Sequence, residues 1–371
     1  MPDPQSLDQL ETPAAVVDVG RMHANIGRAA EYTREHALAW RPHAKTHKVP
    51  ALAALQVAAG AVGVTVATAR EAEVMAGAVS DLLLAYPPVS RGTTDRVLAL
   101  PEHVRLTVAL DSADALRPLA AAARERGRRV GVLVEFDAGM RRVGVSSPEE
   151  AVALAGLAAE LNGVEYRGLM FYPGHVRTRM ETQDEALGEL SATVGRFVEA
   201  ATRAGLRPHV VSGGSTPTFW RSHEVTGATE VRPGTNIFND RTTFAVGACE
   251  WEQVAYSVLA TVISTSVPGQ AVVDAGAKAI ARDPLPTDEP GLGALLDRPD
   301  VLVRSVSEEH GVLDLSHTDW KPRVGDRVRI VPNHVCVSVN LHERLYGVRG
   351  DEIVEAWEVA GRGRGPLHPA V

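Results

Sequence analysis

The feature that most restricts how this chain can fold is an alternation. Eight short apolar runs, many of them β-branched, are each followed by a stretch of Ala, Leu, Glu and Arg with helical character. The runs are 37–40, 62–67, 82–86, 106–110, 130–136, 168–172, 209–212 and 230–232. Strands covered by helices on their faces read as continuous apolar segments, so the pattern calls for a parallel sheet. A (β/α)8 barrel and a doubly wound open sheet both fit it. A dinucleotide-binding fingerprint would favour the open sheet, but no glycine-rich turn follows the first run, and Gly213-Gly214 comes only after the seventh. The expectation is an α/β fold with an N-terminal (β/α)8 TIM-type barrel over residues 20–245. Helix signals agree: Asp111 and Ser112 open a helix that closes at Gly127, and Ser147-Pro148-Glu149-Glu150 places a cap, a proline and two acids in one first turn.

Beyond residue 245 the texture changes. Segments 254–264, 270–274, 301–306 and 324–339 are valine-rich and separated by Pro/Gly turns, which predicts a C-terminal β-rich domain over 246–371. Residues 282–299 read as a long surface loop. Near the N-terminus, 14–19 reads as a strand and a helix follows from about Arg21 to His36. A chain of 371 residues suits a barrel plus a second module. The net charge of -8 and the lack of a basic stripe argue against a nucleic-acid partner. No run reaches membrane-spanning length, residues 1–20 lack an apolar signal core, and two cysteines make no disulfide framework. A cytoplasmic protein without a membrane partner is expected.

Only four of the 38 basic residues are lysines, and two of these lie three apart in Arg41-Pro42-His43-Ala44-Lys45-Thr46-His47-Lys48. A lysine amine condenses with an aldehyde, and cations such as Arg41, Lys48 and a protonated His43 would lower its pKa. Taken alone, the stretch reads more readily as a solvated basic turn. Barrels, however, carry functional groups at the C-terminal ends of their strands and commonly hold phosphate in the loops after strands seven and eight. Here those loops are Ser212-Gly213-Gly214-Ser215-Thr216 and Pro233-Gly234-Thr235-Asn236. Lys45 follows the first strand and faces the same mouth, so lysine and phosphate cup together suggest pyridoxal phosphate (PLP). At the end of strand five, Arg142 is the candidate for the cofactor's ring oxygen and Arg141 reads as surface. After strand six, Tyr172 and His175 offer groups for proton transfer, although a lone loop histidine is commonly just solvated. In the β domain, His334 and Cys336 would project from one face if they lie on a strand, and imidazole plus thiolate favours Zn2+ over Mg2+ or Ca2+. A buried cysteine beside a solvated histidine is the plainer alternative.

Together the 41–48, 137–144, 212–217 and 232–235 stretches, Asp274-Ala275-Gly276-Ala277-Lys278 and Pro332-Asn333-His334-Val335-Cys336 resemble the fold type III PLP enzymes of the D-threonine aldolase and D-serine dehydratase group, relatives of alanine racemase. The resemblance spans nearly the whole chain. It implies a PLP- and divalent-metal-dependent lyase on D-β-hydroxy amino acids, with Lys45 as the cofactor's lysine and His334 and Cys336 as ligands of Zn or Mn. It also implies that strand 14–19 belongs to the β domain. Expected catalytic residues are Lys45, His175 and Tyr172. Expected cofactor contacts are Lys45, His43, Arg142, Tyr172, Ser212, Gly213, Gly214, Ser215, Thr216, Gly234, Thr235 and Asn236. The aldolase branch often shows aspartate at the second metal position and Tyr-His-Gly after strand six, whereas this chain has Cys336 and Tyr172-Pro173-Gly174-His175. The aldolase reading therefore stands beside a dehydratase of D-serine or D-3-hydroxyaspartate, and ahead of a racemase or a non-catalytic PLP carrier. A homodimer acting on a small amino-acid substrate is expected.

Overall fold

The computed structural model describes residues 4–366; residues 1–3 and 367–371, which fall in the expected β domain, lie outside the described residues. The chain divides into two compact units, one formed by the segment up to Arg28 with Thr235–Val359, the other by Ala29–Gly234 with the segment from Ala360.

The second unit holds eight parallel strands: Ala39–Trp40, Val64–Val66, Asp81–Leu84, Arg105–Leu110, Val130–Glu135, Val164–Met170, Val210–Gly213 and Glu230–Val231, here the first to the eighth. From the second onward each pairs with the next, and the eighth pairs with the first. The ring closes between the first and second through a parallel bridge of His43 with Thr65, with Trp40 and Pro42 carbonyls each accepting an N–H, from Val62 and Thr65, at 2.8 Å. The sheet is thus a closed barrel and not an open sheet. All eight apolar runs are strands, the sixth beginning earlier than its run, at Val164.

Closure explains why the runs are apolar throughout. Leu82 and Leu84 point outward, with Leu106, Val108, Val132 and Val134, into a core shared with helix residues Met75, Leu116, Leu119, Leu154 and Val194. Leu83 points inward and packs with Ala109, Leu133 and Met170. Both faces of the third and fifth strands are buried throughout, as the barrel architecture requires. The helices start where their caps predict. Ser112 accepts the N–H of Ala115 at 3.3 Å, and Ser147 and Glu150 form a reciprocal capping box.

A charge network, buried except at Arg105, ties the strands together. Arg41 donates to Glu230 Oε2 at 2.8 Å and to Asp81 Oδ1 at 2.7 Å, Arg105 donates to Asp81 Oδ2 at 2.7 Å, and the Ser212 hydroxyl donates to Glu230 Oε1 at 2.6 Å. Asp81, Arg105 and Glu230 are each the first residue of their strand, so this network sits away from the strands' C-terminal ends. Gly63, at φ +154°, makes room for it: a Cβ there would stand 2.6 Å from the Arg41 guanidinium and 2.4 Å from the Asp81 carbonyl oxygen.

In the other unit six strands form a closed antiparallel ring: Tyr256–Ser264, Gln270–Val273, Gly311–Asp314, Arg298–Val306, Gly293–Leu295 and Arg327–Pro332. Ala14–Asp18 pairs antiparallel with Tyr256–Ser264 and parallel with Arg344–Arg349, which confirms that the first strand of the chain is part of the β sheet and not of the barrel. The next helix starts at Val19, earlier than expected. Two expectations fail. The 282–299 loop is interrupted, because Gly293–Leu295 is a buried strand and Arg298 opens another. The valine-rich stretch to 339 is not strand throughout, because Val335–Leu341 is a helix. The second miss has a tertiary cause. Ser338 lies fully buried, bonding the Tyr256 hydroxyl at 2.8 Å and donating to the Ala279 carbonyl at 2.7 Å, and these contacts override the β preference of Val335, Val337 and Val339. Among the described residues no helix is long and apolar enough to cross a membrane.

Removing Arg41 would leave Glu230 without its cation and Asp81 with one of two. Arg41→Ala is expected to destabilise the protein by about 3–5 kcal/mol in urea unfolding, as truncation of a buried ion pair does. A loss below about 1 kcal/mol, the scale of an exposed pair, would contradict this account.

Candidate active site

Lys45 lies in a short 3-10 turn, Ala44–Thr46, directly after the segment that closes the barrel. Its neighbours do not form the cationic cluster expected from the sequence. Arg41 is neutralised by Asp81 and Glu230, and Lys48 is paired with Glu71. His43 is buried, and burial first, then the positive charges of Lys45, Arg232 and Lys48, hold its pKa well below the usual histidine range, so the ring is neutral. Its Nδ1 accepts the Lys45 backbone N–H at 3.4 Å, capping the turn. His47 is likewise buried and lowered to about 4, bonded to Gln56. The Lys45 ammonium itself has no hydrogen bond or ion pair among the described residues. It stands 5.9 Å from the centre of the Tyr172 ring, and the Arg142 guanidinium stands 5.1 Å from the same ring. The fold thus brings together three candidates from the ends of strands one, five and six. Arg141 is exposed, as expected. His175 is exposed too, with its ring against Gly139, where a Cβ would be 2.9 Å away, so it joins the same loop as Arg142.

The glycine loops are drawn close to the lysine turn. A Cβ on Gly234 would lie 2.8 Å from Thr46 Oγ1 and 2.9 Å from the His43 carbonyl oxygen, and the Gly234 N–H points to Thr216 Oγ1 at 3.4 Å. Only glycine permits this approach. Gly213 is needed for a different reason, since a Cβ there would meet the Phe171 ring at 2.1 Å, and Gly214 adopts φ +83°. Ser212 requires a correction. Its hydroxyl is engaged by Glu230, which leaves its backbone but not its side chain for an anion. The Ser215 hydroxyl lies 3.1 Å from that of Thr218.

Sequence reasoning missed Glu135 and Arg232 as site residues. Glu135 ends the fifth strand, two residues after the inward-facing Leu133, and is buried. Its carboxyl is pushed up to about 7, by burial first and Asp111 second, with Arg232 and Arg142 acting in the opposite direction. Arg232 is buried and donates to the Phe171 carbonyl at 2.6 Å, while its Nε has no partner. A single acid closing an apolar strand was the available signal for Glu135. For Arg232 nothing local distinguished it.

In the β unit, Thr235–Ile237 form a short turn in which Asn236 is buried with both side-chain polar atoms unpartnered, while the Thr235 hydroxyl is 3.8 Å from Cys336 Sγ. His334 and Cys336 do not alternate along a strand. His334 is the N-cap residue of helix Val335–Leu341 and Cys336 lies in its first turn, and the two side chains still interact. The Cys336 thiolate first, and the Asp240 carboxylate after it, push His334 up to about 11 against its burial. No cluster of three or more His, Cys, Asp or Glu side chains suited to a metal occurs among the described residues, so the pair would leave positions of an ion open.

These residues fit the expected groups. An unpaired lysine amine, glycine loops with bare backbone, and an orphaned polar atom on buried Arg232 are what a cofactor with an aldehyde and a phosphate would satisfy. An adjacent imidazole and thiolate are suited to a divalent ion.

The barrel with its appended β unit defines the class of protein, and comparisons with known proteins identify the family. The family "Alanine racemase, N-terminal domain" matches residues 17–242, and a serine dehydratase domain family matches 255–348. D-threo-3-hydroxyaspartate dehydratase from Delftia sp. (strain HT23) is 34% identical, covering 94% of this chain and 97% of that protein. The crystal structure of D-threonine aldolase from Filomicrobium marinum superposes with a TM-score of 0.89 at 31% identity, covering 98% and 99% of the two chains. A D-threo-3-hydroxyaspartate dehydratase mutant in the metal-free form has a TM-score of 0.84 at 32% identity, covering 98% and 100%. The chain belongs to the fold type III PLP-dependent enzymes, in the group of D-threonine aldolases and D-serine and 3-hydroxyaspartate dehydratases.

The Glu135 carboxyl gives a pH signature. Its folded pKa of about 7 lies above that of an unfolded glutamate, so between the two the native state holds the extra proton and stability falls as pH rises. In cofactor-free protein, Glu135→Gln is expected to remove this slope, gaining up to roughly 3 kcal/mol relative to wild type by pH 8. Urea midpoints measured from pH 5 to 8 check it, and parallel curves for the two proteins would contradict it.

Proposed function

We propose that this chain is a PLP- and divalent-metal-dependent lyase acting on D-β-hydroxy amino acids, cleaving D-threonine-type substrates to glycine and an aldehyde. The observation that carries the reading is the unpaired Lys45 amine beside Tyr172 and Arg142, in a turn pressed against the glycine loops. Bound PLP would supply an electron sink at the substrate Cα, and a divalent ion an electrophile for the β-hydroxyl. Lys45 would hold the cofactor through its aldehyde, and the backbone of 213–216 and Gly234 would hold its phosphate. Neutral His43, Tyr172 and Arg142 would contact its ring, Arg142 at the ring oxygen. His334 and Cys336 would hold the ion, for which Zn2+ and Mn2+ are the candidates. In cleavage His175 takes the β-hydroxyl proton as the Cα–Cβ bond breaks. Dehydration is the second reading, favoured by the thiolate of Cys336 as second donor. There Lys45, released as the substrate amine takes its place, would take the α-proton, hydroxide would leave, and water would hydrolyse the resulting enamine to a 2-oxo acid and ammonia.

The test is product identity. Protein supplied with PLP and either Zn2+ or Mn2+ is incubated with D-threonine, D-serine and D-threo-3-hydroxyaspartate, and glycine plus aldehyde is distinguished from 2-oxo acid plus ammonia. Lys45→Ala is expected to lose the visible absorbance of the bound cofactor along with activity. His334→Ala is expected to retain the absorbance and lose about 100-fold or more in rate. Full activity in His334→Ala would remove the metal from the proposal.

A further inference from the structure

Building on the metal reading above, we propose that Asp240 is the positioning residue for the His334–Cys336 pair, accepting a hydrogen bond from His334 Nδ1–H and so presenting Nε2 to the metal. The Asp240 side chain is fully buried, and its Oδ2 lies 3.3 Å from His334 Nδ1. The same oxygen accepts the Val335 N–H at 3.0 Å, and Oδ1 accepts the Thr243 N–H at 2.8 Å. Thr243 Oγ1 in return accepts the Asp240 N–H at 2.8 Å. One carboxylate thus caps helix Arg241–Ala245, caps helix Val335–Leu341 and contacts the histidine between them.

The assignment follows from donor counting. An imidazole nitrogen facing an acceptor-only oxygen must carry the hydrogen, and a histidine protonated on Nδ1 offers its lone pair at Nε2. The two amides that fix the carboxylate also fix the plane in which the ring can lie. Asp240 itself is no third ligand, since its oxygens already face these N–H groups and no three-member metal cluster occurs among the described residues. Carboxylates that orient a ligating histidine typically contribute 10–100-fold in metal affinity.

Metal-stripped protein is titrated with Co2+, following the thiolate-to-cobalt charge-transfer band. Wild type is expected to bind with that band, and Cys336→Ala to lose it. Asp240→Asn is expected to bind 10–100-fold more weakly with the band retained. Thr243→Ala disturbs the same helix cap without touching Nδ1, and its affinity should stay within about twofold of wild type whatever its change in Tm. Equal affinity of Asp240→Asn and wild type, or equal weakening in Thr243→Ala, overturns the proposal. So does failure of wild type to take up Co2+, which removes the metal reading with it. A measurement on the unmutated protein stands apart from any folding defect. Imidazole 15N shifts of His334 in protein loaded with Zn2+ should show hydrogen on Nδ1, and hydrogen on Nε2 overturns the proposal.

Discussion

The structure depends on the way residues 40–43 are threaded between the second and eighth barrel strands. Backbone N–H groups of Arg41 and His43 donate to Val231 and Pro233 on one side, and the carbonyls of Trp40 and Pro42 accept from Val62 and Thr65 on the other. An open parallel sheet leaves two unpaired edges, and this segment removes both. It also ends in the turn that carries Lys45. The backbone pairing that completes the barrel therefore fixes the origin of the Lys45 side chain, and the close approach of Gly234 holds the glycine loop against it.

Burial of charge sets the electrostatics around this turn. A buried guanidinium needs partners, and Arg41 finds them in Asp81 and Glu230, at the N-terminal ends of the strands. Lys48 has Glu71. A buried imidazole is cheaper neutral than charged, and His43 accordingly stays neutral. A stretch that reads as strongly basic thus presents one unpaired ammonium. The β unit uses the same physics differently: there the Cys336 and Asp240 charges favour the protonated form of His334, which a metal would have to displace.

Much of the site was legible because the barrel rule converts order along the chain into position in space. Lys45 after the first strand, Arg142 after the fifth, Tyr172 after the sixth and the glycine loops after the seventh and eighth had to share one mouth once the strands were counted. Arg142 and Lys45 do flank Tyr172. What that rule cannot supply is the partner of each side chain. The Ser212 hydroxyl was read as an anion contact, yet Glu230, eighteen residues on, holds it. Glu135, Arg232 and Asp240 act through neighbours distant in sequence and carry no local pattern that marks them.

The sequence by itself determined the eight-strand barrel and the β-rich second unit, because apolar period and helix caps are local properties, while its motif stretches carried the resemblance that implied the family and the place of the first strand. Tertiary structure alone decided that residues 335–341 are helical and which cations remain unpaired. It also decided that Asp240 faces His334. Those outcomes depend on burial and on hydrogen-bond partners brought from 94 residues away, and neither is encoded in a neighbouring residue.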